Sequence, residues 1–269
     1  MTETVTLADI EAARDRFDDP AIVRRTPIET NRSLSGMSGA DVHLKMEHLQ
    51  RTGSFKTRGA YNKLKQEAAA GGDKHVVAAS AGNHAQGVAL AATTVGLEST
   101  IVMPENAPQA KIDATRSYGA TVELHGSTFG EAMAHAKSLA AEPGMLFVHA
   151  YDDPDIVAGQ GTLGLEIYEQ VPDVDTVIVP IGGGGLIGGI STALKELDDS
   201  VRVIGVQAEL ASTVHESLRK GAPVDEESPK TIADGIATGS ISELTLGLIE
   251  THVDEVVTVS DDDIARAIL

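Results

Sequence analysis

With 269 residues, 42% of them hydrophobic, the chain can bury a sizeable core as one large domain or two closely packed ones, which excludes wholesale disorder. Forty acidic residues against 21 basic ones give a formal net charge of -19, a surface that repels phosphate backbones and excludes nucleic acid as a partner. The absence of cysteine excludes disulfides and thiolate chemistry, and no apolar run approaches the roughly 18 residues that span a bilayer, so no membrane partner is expected.

The segment from Met1 to Arg16 alternates charged and apolar residues and lacks the long apolar stretch of a signal peptide. With the missing cysteines, this predicts a cytoplasmic protein. The acidity has two readings, a solubility device or adaptation to high salt, and composition leaves both open.

In chain order, Val42 to Met46 reads as a strand and Ser54 to Ala70 as a helix. His75 to Ala79 is a strand, followed by a helix over Asn83 to Val95. Thr100 to Met103 precedes a helix over Ala107 to Tyr118, and Thr121 to Leu124 precedes one over Thr128 to Ala141. Pro143-Gly144 and Asp152-Asp153-Pro154 read as turns, with Asp152, Asp153 and Asp155 as turn and cap residues rather than an acid/base pair. Thr176 to Pro180 is a strand before a helix over Leu186 to Leu197. Arg202 to Ala208 follows, then a helix near Ser212 to Lys220 and a polar loop from Pro223 to Pro229. Ser260 caps a last helix with an apolar stripe of Ile264, Ala265, Ile268 and Leu269. Barely two turns long, that helix needs packing partners, and the architecture is expected to be incomplete at its C-terminal side. Alternating βα units define an α/β fold with parallel sheets, whose ligands sit beyond the carboxyl ends of the strands.

Three segments carry candidate chemistry. In the first, Ser54 is expected to cap a helix that places Lys56 in its first turn. The positive end of a helix disfavours another cation, so Lys56 is either a solvated surface lysine or one that has lost its charge, as a Schiff-base lysine does. The second segment, Ser80-Ala81-Gly82-Asn83-His84, follows a strand and opens a helix. Its free amides suit a carboxylate, or Asn83 is an ordinary cap beside Gly82. His84 has no carboxylate neighbour in sequence and reads as structural. The third is the run Gly182-Gly183-Gly184-Gly185-Leu186 between an apolar strand and a helix. Amides so placed cradle phosphate, and a flexible linker is the competing reading. Gly183, Gly185 and Gly188 also satisfy G-x-G-x-x-G, with Glu209 at the spacing of a ribose-binding acid, so a nicotinamide-dependent oxidoreductase competes on local pattern. Nine scattered histidines show no ligand spacing, and no metal is expected.

Taken in order, these segments resemble the fold-type II (tryptophan synthase β-like) pyridoxal-phosphate enzymes, and among them the threonine/serine dehydratase family. The resemblance also covers Lys45 to Ala60, Val102-Met103-Pro104, Tyr118-Gly119-Ala120, Gly159-Gln160-Gly161-Thr162 and Thr231 to Ala237. It implies that Lys56 carries pyridoxal 5'-phosphate and acts as the catalytic base, with Phe55 beside the cofactor ring and Asn83 on its phenolic oxygen. It implies further that Gly182, Gly183, Gly184, Gly185 and Leu186 bind the phosphate, and that Ser80, Ala81, Gly82, Asn83 and His84 bind the substrate carboxylate. The implied architecture has two lobes, a small one over residues 50–148 and a large one over 1–49 plus 149–269.

The implied reaction is ammonia release from L-threonine or L-serine, giving 2-oxobutanoate or pyruvate, in a dimer or tetramer of identical chains. A serine/threonine racemase, or another β-elimination enzyme on the same cofactor, is the runner-up. Racemases resembling this chain have a serine where Ala81 stands, and alanine has no proton to give. A glycine-rich C-terminal segment that contacts the pyridine nitrogen in relatives has no counterpart here. Some relatives bind a divalent cation near the position of Glu209, but the later ligand position is His215, so that metal is not inferred. A non-catalytic amino-acid sensor is the alternative outside enzymes.

Overall fold

The computed structural model describes residues 4–72, 74–226 and 230–269. The first part of the chain forms α1 (Leu7–Asp15), β1 (Ile28–Thr30), α2 (Arg32–Ser38) and β2 (His43–Lys45). Thr6 and Asp9 form a reciprocal capping box that starts α1, and β1 pairs antiparallel with β2.

The middle of the chain runs α3 (Lys56–Ala69), β3 (His75–Ala79), α4 (Asn83–Val95), β4 (Ser99–Met103), α5 (Gln109–Ser117), β5 (Thr121–Leu124), α6 (Phe129–Ala140) and β6 (Met145–Phe147). Its strands form a parallel sheet in the order β5-β4-β3-β6. Both faces of β3 are covered, so it reads as a continuous apolar run. Val76 and Ala78 pack with Leu64 of α3 and Val88 of α4, while Val77 and Ala79 pack against Ala132 and Ala136 of α6.

The last part contains α7 (Pro154–Gln170), β7 (Thr176–Pro180), α8 (Gly185–Leu197), β8 (Arg202–Ala208), α9 (Thr213–Lys220), α10 (Glu243–His252), β9 (Glu255–Val259) and α11 (Asp261–Ile268). A second parallel sheet has the order β7-β8-β9. Val177, Val179 and Val203 pack one of its faces against Ile187, Ile190 and Leu194 of α8 and Ile249 of α10. On the other face Ile178 is 66% exposed.

The predicted α/β class holds, and β3, α4, β5, β7 and β8 keep their predicted bounds. Ser54 is not the cap expected of it. Phe55 holds that position with helical angles, because the Arg58 amide already bonds the Phe55 carbonyl, and the Ser54 hydroxyl accepts from the Lys56 amide at 3.4 Å. Of the loop predicted over Pro223 to Pro229, residues 227–229 lie outside the described residues; 223–226 are irregular. Ser260 caps α11 as predicted, by accepting from the Asp263 amide. Among the described residues, no helix is long and apolar enough to cross a membrane.

The 17-residue α7, where only a turn at its start was predicted, fixes the relation between the two sheets. Gly159, Gly161 and Gly164 lie in its interior, each costing about 1 kcal/mol of helix propensity relative to alanine. The compensation is backbone contact. A Cβ on Gly159 would sit 2.6 Å from the Cα of Gly59 on α3, and one on Gly161 would sit 2.9 Å from the Gly189 carbonyl on α8. Helix α7 therefore lies hard against α3 on one side and α8 on the other. Those two helices begin at Lys56 and at the glycine run.

Candidate active site

Three loops leave the carboxyl ends of parallel strands: residues 80–82 after β3, 148–153 after β6 and 181–184 after β7. They converge on the start of α3.

Lys56 is the first residue of α3. Its Nζ donates to the Ala150 carbonyl at 2.8 Å and lies 5.3 Å from the centroid of the Phe55 ring. Among the described residues no carboxylate lies within ion-pair distance of it. Desolvation pushes the amine from 10.5 down to about 8. The residue nevertheless keeps part of its surface open to solvent. Dense surroundings with residual access set it apart both from the core and from a freely solvated surface lysine. Neither sequence reading holds as it stands: the amine is not freely solvated, and it keeps its charge until the pH approaches about 8, well below an ordinary lysine.

Helix α4 is pressed against this point: a Cβ on Gly87 would meet the Lys56 carbonyl oxygen at 3.1 Å. At its start Gly82 holds the cap position without a side-chain bond, and its amide donates to the Ser80 hydroxyl at 3.1 Å. Asn83 is therefore not the cap. Its side chain is exposed and makes no hydrogen bond among the described residues. Ala81 and Gly82 are partly buried beside it. His84 is 4% exposed, and its Nε2 lies 3.0 Å from the Val148 carbonyl, which makes Nε2 the protonated nitrogen. Its Nδ1 is buried without a partner. Desolvation, then the nearby Lys56 charge, pushes His84 down to about 3, so its ring stays neutral, in keeping with the structural reading.

The glycine run opens α8, where Gly184 adopts φ 87° at the cap position, a conformation that favours glycine. Among the described residues, the amides from Gly182 to Leu186 donate to no protein acceptor. Gly183 to Gly185 are buried and Leu186 packs on the core of the second sheet, as does Phe55. A linker would not be so enclosed, so the cradle reading fits. The run meets the lysine through residues 149–151. Lys56 bonds the Ala150 carbonyl, and the Tyr151 ring lies over Gly183, where a Cβ would come within 2.3 Å of Tyr151 Cδ1.

Sequence reasoning missed Tyr151, which lies in a stretch that reads only as a turn. It also missed a buried ion network behind Lys56. The fully buried Arg58 makes a two-point contact with Glu47, its Nε and Nη2 each at 2.8 Å, and its Nη1 lies 2.7 Å from Glu166. Lys45 completes the network by bonding Glu166, the Thr26 carbonyl and Gln170. Four alternating charges thus tie α3 to α7. No local signal marks the network in the sequence, because Arg58 meets Glu166 across a separation of 108 residues. Among the described residues no three His, Asp or Glu side chains cluster to hold a metal. Glu209 is exposed, in a short 3-10 turn.

An α/β scaffold with a desolvated amine and unspent backbone amides at the ends of its parallel strands has the groups that a cofactor-dependent enzyme of the Schiff-base class requires. The sequence profile described as pyridoxal-phosphate dependent enzyme matches residues 21–269, and the chain belongs to that family. The L-threonine ammonia-lyase of Thermotoga maritima is 49% identical over 265 residues, 98% of this chain and 66% of that protein. The catabolic L-threonine dehydratase TdcB of Staphylococcus aureus is 47% identical over 264 residues, 98% of this chain and 76% of that protein. The structure of the processed form of threonine deaminase isoform 2 from Solanum lycopersicum superimposes with a TM-score of 0.90 at 38% identity, covering 99% of this chain and 75% of that one. The chain thus spans about two thirds to three quarters of these relatives. The side chains present fit the family's cofactor: an amine that can lose its proton near neutrality stands beside a run of amides without acceptors.

Proposed function

We propose that this chain, with pyridoxal phosphate on Lys56, converts L-threonine to 2-oxobutanoate and ammonia, and L-serine to pyruvate and ammonia. The observation that carries the reading is the Lys56 amine, desolvated to about 8 and held by a carbonyl instead of a carboxylate. When bound, the cofactor supplies an electron sink for the pair left on the substrate Cα. The chain supplies the rest. Lys56, with a free-base fraction at neutral pH, takes the Cα proton. The amides of Gly182 to Leu186, at the positive end of α8, hold the phosphate, and Phe55 lies against the cofactor ring. Asn83 holds the phenolic oxygen with an amide that no cap consumes. The loop from Ser80 to His84 at the start of α4 holds the substrate carboxylate. Departure of the β-hydroxyl and hydrolysis of the resulting enamine use one water in place of the one released, so the net loss is ammonia.

The two-lobed division belongs to this proposal, with residues 50–148 closing over the site from the small-lobe side. The four-stranded sheet, which lies within residues 75–147, supports it. A cytoplasmic homo-oligomer is part of the same reading. Elimination is favoured over racemisation because Ala81 offers no proton on the face opposite Lys56.

The experiment is to incubate purified protein with pyridoxal phosphate, reduce with borohydride, and separately add L-threonine. Covalent attachment that is lost in Lys56→Ala, with 2-oxo acid formed from threonine, is the expected result. Attachment without product keeps the cofactor role of Lys56 and removes the lyase assignment from this length of chain. No attachment to a folded sample sinks both.

A further inference from the structure

Tyr151 connects the lysine and the glycine run, and no sequence motif accounts for it. Its ring carbons Cδ1, Cε1 and Cγ lie 2.3 to 2.5 Å from the position a Cβ on Gly183 would take, and its own Cβ lies 2.9 Å from that position on Gly185. The ring therefore rests directly on the run, and only glycine at 183 permits it. The phenol is anchored beyond: its hydroxyl lies 2.7 Å from Ser240 Oγ and 3.1 Å from the Ser240 carbonyl. The segment containing Ser240 backs the run as well, since a Cβ on Gly182 would meet Thr238 Oγ1 at 2.8 Å.

On its other side, Tyr151 is fixed by its own turn. His149 Nδ1 accepts from the Asp152 amide at 2.8 Å and the Tyr151 amide at 3.4 Å, and the two rings meet edge to face at 4.7 Å. Asp153 then caps α7. The turn that presents the Ala150 carbonyl to Lys56 is thus the one that sends the Tyr151 ring onto the glycines.

We propose that Tyr151 is a positioning residue that holds the glycine run in the arrangement that receives the cofactor phosphate. Lys56 is held by the neighbouring main chain and does not depend on the Tyr151 ring. The two ends of the cofactor are thereby gripped by separable devices, and removing the ring loosens only the phosphate end. This inference rests on the pyridoxal-phosphate reading of Lys56 and the run.

The test compares pyridoxal 5'-phosphate with pyridoxal, which has the same aldehyde and no phosphate. Affinity of each is read from the visible absorbance of the lysine adduct and its borohydride trapping. In the wild-type protein the phosphate confers an affinity advantage. In Tyr151→Leu, which keeps an apolar side chain without a flat ring, that advantage falls at least tenfold while pyridoxal capture stays within about twofold, since misplacement by an ångström costs on the order of a hundredfold. Tyr151→Phe keeps the ring and loses only the Ser240 bonds, and retains most of the advantage. An unchanged advantage in a folded Tyr151→Leu protein overturns the proposal. So does an equal loss for both aldehydes, which makes Tyr151 merely structural. If Tyr151→Leu fails to fold, Tyr151→Trp, with a ring too large for the surface of Gly183, decides by the same two ratios. A wild-type protein that captures neither aldehyde defeats the underlying reading instead, so the two failures are distinct.

Discussion

Gly59 and Gly159 meet backbone to backbone, the Cα of one lying 2.6 Å from where a Cβ on the other would be. This contact sets the distance between α3, which begins with Lys56, and α7, which begins just after Tyr151. Gly159→Ala is expected to destabilise the protein by about 2 kcal/mol net, since overpacking outweighs a propensity gain of about 1 kcal/mol. Gly247→Ala is the matched control. That position lies within α10 with nothing within 4 Å of the added methyl, so it is expected to gain about 0.5–1 kcal/mol. Urea denaturation of both variants checks the pair; equal effects would mean that the close approach carries no constraint.

Arg58 is the only described arginine reaching both Glu47 and Glu166, and it is fully buried. Arg58→Met leaves two carboxylates facing Lys45 alone. Breaking a buried pair by removing one partner costs about 3–5 kcal/mol. Glu166→Gln, which keeps hydrogen-bonding capacity, should cost less. Chemical denaturation gives both values, and near-identity of Arg58→Met with wild type would show the network to be dispensable.

Acid should destabilise the fold well above the carboxylate range. Desolvation is the main cause that pushes His84 down to about 3 and His149 to about 4. Both lie below the ordinary 6.5, so the unfolded chain binds the extra protons, and stability rises with pH between the folded values and 6.5. At pH 5 each costs about 2 kcal/mol relative to pH 8. Replacing His84 by Gln removes its share, and the variant's stability should change less between pH 8 and pH 5 than that of the wild type. The same slope in both proteins would contradict a buried neutral His84.

Strands β3, β4, β5, β7 and β8 were legible because β-branched runs lie between polar turns, as at Val76–Val77 and Val177–Ile178–Val179, whereas the short β6 was not read from the sequence. Helix α7 was not, because its three interior glycines argue against a helix on local propensity; packing between α3 and α8 overrides that. Strand β9 and helix α10 likewise owe their places to partners distant in sequence, β8 and α8. At the candidate site, the Lys56 segment, the Ser80–His84 loop and the glycine run stand out in the sequence because each is a local pattern of strand, turn and helix start. Tyr151 does not, because its partners Gly183 and Ser240 lie far along the chain and nothing local marks the contact.

The charge of Lys56 gives the last prediction. Its folded value of about 8 lies below the unfolded 10.5, so unfolding takes up a proton between those values and stability rises with pH across that window. Below about 8 the buried charge costs the full amount, on the order of 3 kcal/mol. Lys56→Met should therefore be more stable than the wild type at pH 7 in the absence of cofactor, with the difference shrinking toward pH 10. Reactivity follows the opposite face of the same equilibrium, because only the free base attacks an aldehyde. The rate at which the wild-type protein captures pyridoxal should climb with pH to a midpoint near 8, well below the 10.5 of an ordinary lysine. Stopped-flow absorbance against pH measures it. A midpoint above 10 would place the amine in open solvent and remove the physical basis for Lys56 as both anchor and base.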